Sequence, residues 1–401
     1  MFKPTESIVT LVLLIGLLTR VIVALINSFV GPTMGAASDA ESFSDMASSF
    51  AISGGWDGYI QLNELGAGIY AQFLGYFYRY LFNSLFFGCI LSILAWFLSS
   101  ILVLKSLKLL HFDSSTRFFA ILIFALLPSS IFYTSVTLRE PFQLLFLTLL
   151  VFSMIKFYIN RSALHFFLIP LWAICLASLH NALVPIAMMC IFFYIIFFSL
   201  ARLENIFNKV RFYSVVLICL SLIPLSIYIF NTFVAYSSLT EKGIVYAIGA
   251  YQEGLLGDGA GARAFYRTNS IGEDLSSFVL FLPTAFFQYQ LEPLPSKIGT
   301  AQDILLFVEN CIRSFLIVIS AVYLFKNKKE LPKHIYFSLL FIFIIYITVE
   351  AIWSLGTLNW GTASRHHIPS LGLLAIVSAP GLVNSWFFRD IRDNPKPVTS
   401  L

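Results

Sequence analysis

The sequence predicts an all-α fold: a polytopic membrane helix bundle of about ten spans, joined on one side by outer loops that carry interfacial helices. Three observations predict it. Hydrophobic residues make up 58% of the 401 positions and charged residues 11%, with a mean hydropathy of +0.85, far from the balance of a water-soluble domain. The apolar residues gather into runs of about 20, the length that crosses a bilayer as helix. The 42 Phe and 18 Tyr suit lipid-facing and interfacial positions better than a water-soluble core.

The first run, roughly 7–30, is longer than the apolar core of a signal peptide and is read as a retained helix, although the small residues Gly35-Ala36-Ala37-Ser38 follow it. Arg20 sits near its middle, and a charge at that depth must face the bundle interior, where structural pairing is its favoured role. Runs at 83–104 and 118–136 come next, then 141–159, which opens at Pro141, a position early in a helix that tolerates proline. Segments 165–179 and 182–201 read as a helical hairpin around His180 and Asn181, followed by a run at 212–231. The run 304–325 carries Glu309 and Arg313, an i,i+4 pair able to satisfy each other on one face. Glu350 lies near the outer end of 335–353 with Arg365 or His366 as its expected partner, and 369–387 is the last run.

Loop charges orient these spans. Lys3, the Lys105/Lys108/Arg117 loop, Lys156/Arg161, Arg202/Lys209/Arg211, Lys326/Lys328/Lys329/Lys333 and the tail with Arg389/Arg392/Lys396 fall on alternate loops, all on one side. The positive-inside rule makes that side cytoplasmic, with both termini inside. The outer side then receives loop 31–82, the Arg139/Glu140 turn, the large loop 232–303 and the Arg365 loop of a single transmembrane domain covering 1–401. In loop 31–82, Ala47 to Trp56 and Ile69 to Phe82 mix aromatic, aliphatic and polar residues as interfacial helices do. In the large loop, Phe278 to Phe287 is too short to cross and reads as a re-entrant or interfacial piece. The two loops are expected to cover an outer cavity. The net charge of +4 sits mainly in short loops and argues against a nucleic-acid partner. Cys89, Cys175, Cys190, Cys219 and Cys311 lack metal-ligand spacing.

Three clusters on the outer side carry the chemistry: Ser38-Asp39-Ala40-Glu41, Thr137-Leu138-Arg139-Glu140-Pro141, and Gly361 to Pro369 with Arg365, His366 and His367. Each has two readings. Asp39 is a solvated carboxylate near a helix N-terminus, or a general base for an acceptor hydroxyl or amine. Arg139 reaches the headgroups or pairs with a nearby acid, or else binds phosphate, which its planar guanidinium suits. Arg365 has the same alternatives, and His366 could assist a phosphate leaving group. Metal binding by adjacent His366 and His367 is disfavoured because consecutive side chains diverge. Lys242, Arg263 and Arg267 in the large loop read as solvated.

These clusters, together with Pro128-Ser129, Pro283 and Pro293-Leu294-Pro295, give the chain a pattern that resembles the multispan glycosyltransferases of the GT-C type. That superfamily includes the protein mannosyltransferases and the lipid A aminoarabinose transferases. The resemblance implies a polyprenyl-phosphate sugar donor, a saccharide, lipid or protein acceptor, and a multi-pass location in a bacterial inner membrane with the active site outside. It also implies that Asp39 is the catalytic base and that Arg139 and Arg365, with His366, hold the donor phosphate. Glu41, Glu140 and His367 are supporting candidates. Ala40 separates Asp39 from Glu41, where the protein mannosyltransferases usually have two adjacent acids. No cofactor is required by the pattern, although a divalent metal could share the phosphate charge. Two rivals stand beside this reading: a surface-polysaccharide polymerase or ligase using a lipid-diphosphate donor, and a transporter or flippase of lipid-linked saccharides. Charges crowded on one side, with no repeated halves, favour an enzyme over a transporter.

Overall fold

The computed structural model describes residues 4–31, 37–53, 66–180, 182–200, 249, 252–253, 264–266 and 275–385. The expected span 212–231, Lys3, Cys219, the solvated candidates Lys242, Arg263 and Arg267, and the basic tail lie outside them. The helices are α1 (Glu6–Phe29), α2 (Ala37–Ile52), α3 (Ala67–Tyr80), α4 (Leu85–Leu109), α5 (Ser114–Leu126), α6 (Pro128–Tyr133) and α7 (Glu140–Asn160). They continue with α8 (Ala163–Ser178), α9 (Leu183–Leu200), α10 (Leu275–Leu291), α11 (Ala301–Lys326), α12 (Lys333–Gly356), α13 (Trp360–His366) and α14 (Leu371–Asn384). The extended pairing among the described residues is an isolated antiparallel bridge between Phe265 and Asn359.

Among the described residues, 5 helices are long and apolar enough to cross a membrane, namely α1, α4, α7, α11 and α12, and α13 with α14 makes 6 if this pair, bent by 76°, is one span. Helices α5 and α8 are apolar but shorter. The protein is therefore a helical membrane protein, and the described residues supply fewer full spans than the sequence suggests. α14 forms the centre. It is buried from Leu371 to Val383 and packs against α5, α11, α12 and α4, as expected of a helix that is apolar on every side.

The run 118–136 is not one span. Pro128 has no N–H to donate, so the helix breaks there into α5 and α6. Three of the backbone groups freed by the break find side-chain partners. The Phe124 carbonyl accepts from Ser130 Oγ at 3.2 Å. The Ser129 N–H turns to Glu309 Oε2 at 2.8 Å. The Ala125 carbonyl accepts from Arg20 Nη1 at 2.9 Å. Arg20 also donates to Gly16 O at 2.9 Å, Thr134 Oγ1 at 2.7 Å and Ser130 Oγ at 2.8 Å, and lies 3.6 Å over the Trp96 ring. Its structural role is thus met by dipoles and a π-face, all neutral. Glu309 and Arg313 do satisfy each other, at 2.6 Å, and Ser129 Oγ joins them, donating to Glu309 and accepting from Arg313 Nη2 at 3.0 Å.

Charge separates along the bundle. α7 starts at Glu140 and carries Lys156 toward its far end, with Arg161 just beyond, while α12 starts at Lys333 and finishes beside the segment that leads to Arg365. α11 carries Asp303 in its first turn, where it accepts from Trp360 Nε1 at 2.9 Å, and ends at Lys326. The basic loops and the Arg365 cluster are therefore at opposite ends of the same helices.

Candidate functional site

Of the two outer segments expected to be interfacial helices, Ile69 to Phe82 falls on α3, whereas Ala47 to Trp56 meets only the end of α2, which starts at Ala37; α2 and α3 pack on each other. Small residues make the approach close: a Cβ on Gly75 would lie 2.8 Å from the Ala47 carbonyl. Phe43 of α2 meets Tyr70 of α3 edge-on at 5.1 Å, and Tyr70 meets Phe142 of α7 at 5.7 Å. This aromatic run docks α2 against the start of α7. Asp39, one helical turn before Phe43 and on the same side of α2, is thereby carried to Arg365.

Arg365 stands on a short helix held on several sides. Asn359 caps α13, accepting from Thr362 N at 2.7 Å. Trp360 N donates to Ala264 O at 3.2 Å, Tyr266 N to Leu358 O at 3.0 Å, and Tyr266 Oη to Thr357 O at 2.8 Å. From α6, Tyr133 Oη pairs with Ser364 Oγ at 2.8 Å. The described part of the large loop therefore lies against the segment before Arg365, where the sequence places a covering loop.

The guanidinium of Arg365 joins two carboxylates. Nη1 donates to Asp39 Oδ2, and Nη2 donates to Glu140 Oε1 at 2.8 Å, across 326 and 225 positions of sequence. The partners differ in setting: the Asp39 side chain is 49% exposed and that of Glu140 2%. Arg365 Nε and Glu140 Oε2 are buried without a hydrogen-bond partner among the described residues. Arg139 caps the start of α7, lies 5.7 Å from the Phe43 ring, and is within electrostatic reach of Glu140, His180 and His366. Gly66 makes room for it. Its φ of +92° favours glycine, and a Cβ there would sit 3.4 Å from Arg139 Nη1.

The three expected clusters thus meet, with changes in detail. Arg365 offers no open pair of terminal nitrogens to a phosphate, because both hold carboxylates. His366 is buried at the rim: Thr357 Oγ1 donates to the Trp353 carbonyl, so it accepts from His366 Nδ1–H at 2.8 Å, and the ring stacks on Trp353 at 4.0 Å. That tautomer leaves Nε2 without a hydrogen, an acceptor rather than the donor that a phosphate leaving group would need. His367 does not join the site. It turns away to Glu350, which takes His367 rather than the expected Arg365 or His366, since the bend between α13 and α14 sends consecutive side chains in opposite directions. Glu41 is exposed and faces an open groove of about 830 Å³ along α2 with Asp45 and Phe50, a groove not lined by Asp39, Arg139 or Arg365. Among the described residues no group of His, Cys, Asp and Glu is arranged to hold a metal ion.

His180, read from sequence only as a turn residue, borders the site. Its ring is 4.9 Å from Trp353 and 6.3 Å from His366. Nδ1 accepts from Ala182 N at 3.1 Å, which fixes the Nε2–H tautomer. Burial, reinforced by the Arg139 guanidinium, pushes this imidazole from its ordinary 6.5 down to about 3. The unfolded chain takes up that proton near 6.5 and the folded chain refuses it. The stabilisation is therefore full above 6.5 and lost as pH falls toward about 3. His180→Gln, whose amide oxygen can keep the Ala182 contact, should flatten the acid limb of a thermal-unfolding profile in detergent. An unchanged limb would place that titration elsewhere.

No family model matches the chain, and no curated protein matches it.

Proposed function

We propose that the protein is a multi-pass membrane glycosyltransferase that moves a sugar from a polyprenyl-phosphate donor to an acceptor on the outer face of a bacterial inner membrane, with inversion. The observation that carries this reading is the junction of Asp39, Arg365 and Glu140, brought together from α2, α13 and α7 beside Arg139. In the proposed step an acceptor hydroxyl attacks the anomeric carbon. The new glycosidic bond forms as the bond from that carbon to phosphate oxygen breaks. The hydroxyl proton passes to Asp39, and polyprenyl phosphate leaves.

Asp39 is the carboxylate fit for the base because it is half exposed and Arg365 holds only one of its oxygens. Glu140 is walled in and suits the opposite task of fixing Arg365. The departing phosphate falls to Arg139, with the Arg365 charge in support, since cationic groups aimed at developing negative charge act strongly where water is excluded. The basic helix ends opposite the site support an outer-facing orientation with cytoplasmic termini.

The test is transfer by purified protein given a polyprenyl-phosphate sugar and candidate saccharide, lipid and protein acceptors. Arg139→Ala should weaken use of the donor, with transfer efficiency falling by about two to three decades. Unchanged dependence on donor concentration would remove Arg139 from the phosphate site. Transfer only from a lipid diphosphate would favour a polymerase or ligase.

A further inference from the structure

A second polar cluster, unused by the site above, lies where α10, α11, α12 and the elbow between α13 and α14 meet. At its centre Glu350 Oε2 accepts from Gln290 Nε2 at 2.6 Å and pairs with His367 Nδ1 at 2.5 Å, while Ser370 Oγ donates to Oε1. Glu350, His367 and Ser370 are each 0% exposed. The His367 ring lies against Tyr289, with centroids 4.2 Å apart. A carboxylate already taking protons from an amide and a hydroxyl sets His367 as a third donor, so Nδ1 carries hydrogen and Nε2 points away.

The surroundings are polar and incompletely matched. His367 Nε2, Tyr289 Oη, Tyr346 Oη, Gln290 Oε1 and Arg313 Nη1 are all buried without a partner among the described residues. They share one region, since Tyr289 is within electrostatic reach of Glu350, Arg313 and Tyr346. Groups of this kind are satisfied by buried water, and water is also a route by which protons exchange. The titratable and charged groups that face the pair are Tyr289 from α10, Arg313 from α11, Tyr346 from α12 and His366 from α13, with Glu309 behind Arg313 and Tyr266 behind Tyr289.

The formal charges then give the inference. Glu309 and Arg313 cancel in their own ion pair. Glu350 with a neutral imidazole would leave one net negative charge in the middle of the bundle, a state that burial strongly disfavours. We propose that Glu350 and His367 form a buried proton-binding site that holds one proton in excess of carboxylate plus neutral imidazole. The pair clasps both ends of the elbow, His367 and Ser370, and so sets the 76° bend that carries Arg365 and His366 to the first site. Ionisable pairs inside a membrane domain are functional candidates by default, and this one does not depend on the glycosyl-transfer reading.

The experiment compares full-length wild type, His367→Asn, Glu350→Gln and the double variant in nanodiscs at neutral pH. His367→Asn strands the carboxylate and should lower the melting temperature by many degrees. Adding Glu350→Gln removes the stranded charge and should recover most of that loss, which lost ring packing alone would not allow. In histidine-labelled wild type, nitrogen NMR should find one buried ring protonated on both nitrogens, and that signal should vanish in the double variant. A neutral ring beside an ionised Glu350, the carboxyl state read by infrared difference between wild type and Glu350→Gln, overturns the proposal, as does a His367→Asn melt equal to wild type or a double variant no better than the single. Should His367→Asn fail to accumulate, the ring and carboxyl states of the wild type decide.

Discussion

Arg365→Ala is expected to destabilise the fold by about 3–5 kcal/mol, the range for removing one partner of a buried ion pair, and to eliminate transfer as well. The stability loss comes from the Glu140 side. That carboxylate is buried, its Oε2 has no partner among the described residues, and its Oε1 depends on Arg365 Nη2. Removing the guanidinium leaves a charge walled off from water, with Arg139 as the cation left within electrostatic reach. Asp39 contributes little to this loss because it is half exposed and regains hydration. Two further variants separate the causes. Glu140→Gln in the Arg365→Ala background should recover much of the stability, since a neutral amide is far cheaper to bury, but none of the transfer. Arg365→Lys should fold better than Arg365→Ala and still fail in transfer, because a single ammonium cannot hold two carboxylates in the fork that a planar guanidinium offers. Thermal unfolding in detergent reads the first effect. A melt of Arg365→Ala equal to the parent would mean that Glu140 is satisfied by other means and that the junction does not organise the site.

The parts of this molecule that were legible in the sequence are those decided locally. Unbroken apolar runs at 7–30, 83–104, 141–159, 304–325 and 335–353 correspond to α1, α4, α7, α11 and α12, within a few residues at each end. The mixed aromatic and polar stretch Ile69 to Phe82 corresponds to α3, whereas Ala47 to Trp56 caught only the end of α2, which begins at Ala37. Clusters of charge at the ends of apolar runs pointed to Asp39, Arg139, Glu140 and Arg365. Misreadings arose where the answer depends on distant residues. Composition runs smoothly through Pro128, yet the break there is completed by Arg20, 105 positions from Ala125, and by Glu309, 180 positions from Ser129. The separate fates of His366 and His367 follow from the elbow at 367–370, which turns one ring to Thr357 and the other to Glu350. Pro369 and the Ser370 hydroxyl signal a bend in retrospect, but its direction is set by the acid on α12. Arg365 read as a phosphate ligand because sequence shows its charge and position but not that two carboxylates already occupy it.

Asp39→Asn should lower sugar transfer by about 10²–10⁴-fold, the range associated with a positioned general base, while leaving the fold and donor affinity nearly intact. The change is isosteric. An amide oxygen can still accept from Arg365 Nη1, and because the side chain is 49% exposed its desolvation matters little to stability. The variant therefore removes proton affinity and charge while keeping shape, which makes its kinetic effect a direct reading of the chemical role. Glu140→Gln is the matched comparison, since the same chemical change is then made at the buried arm of the same arginine. If Asp39 is the base, Asp39→Asn loses turnover at unchanged donor binding, whereas Glu140→Gln shifts stability and donor use with a smaller effect on the chemical step. The reverse pattern would assign the base to Glu140, whose unpartnered Oε2 would then be the atom that takes the proton. Asp39→Asn transferring at the parental rate would exclude Asp39 from the proton transfer altogether. The separation is clean because the two carboxylates share one cation but not one environment, and a general base must be reachable by the acceptor hydroxyl before its proton affinity has any effect.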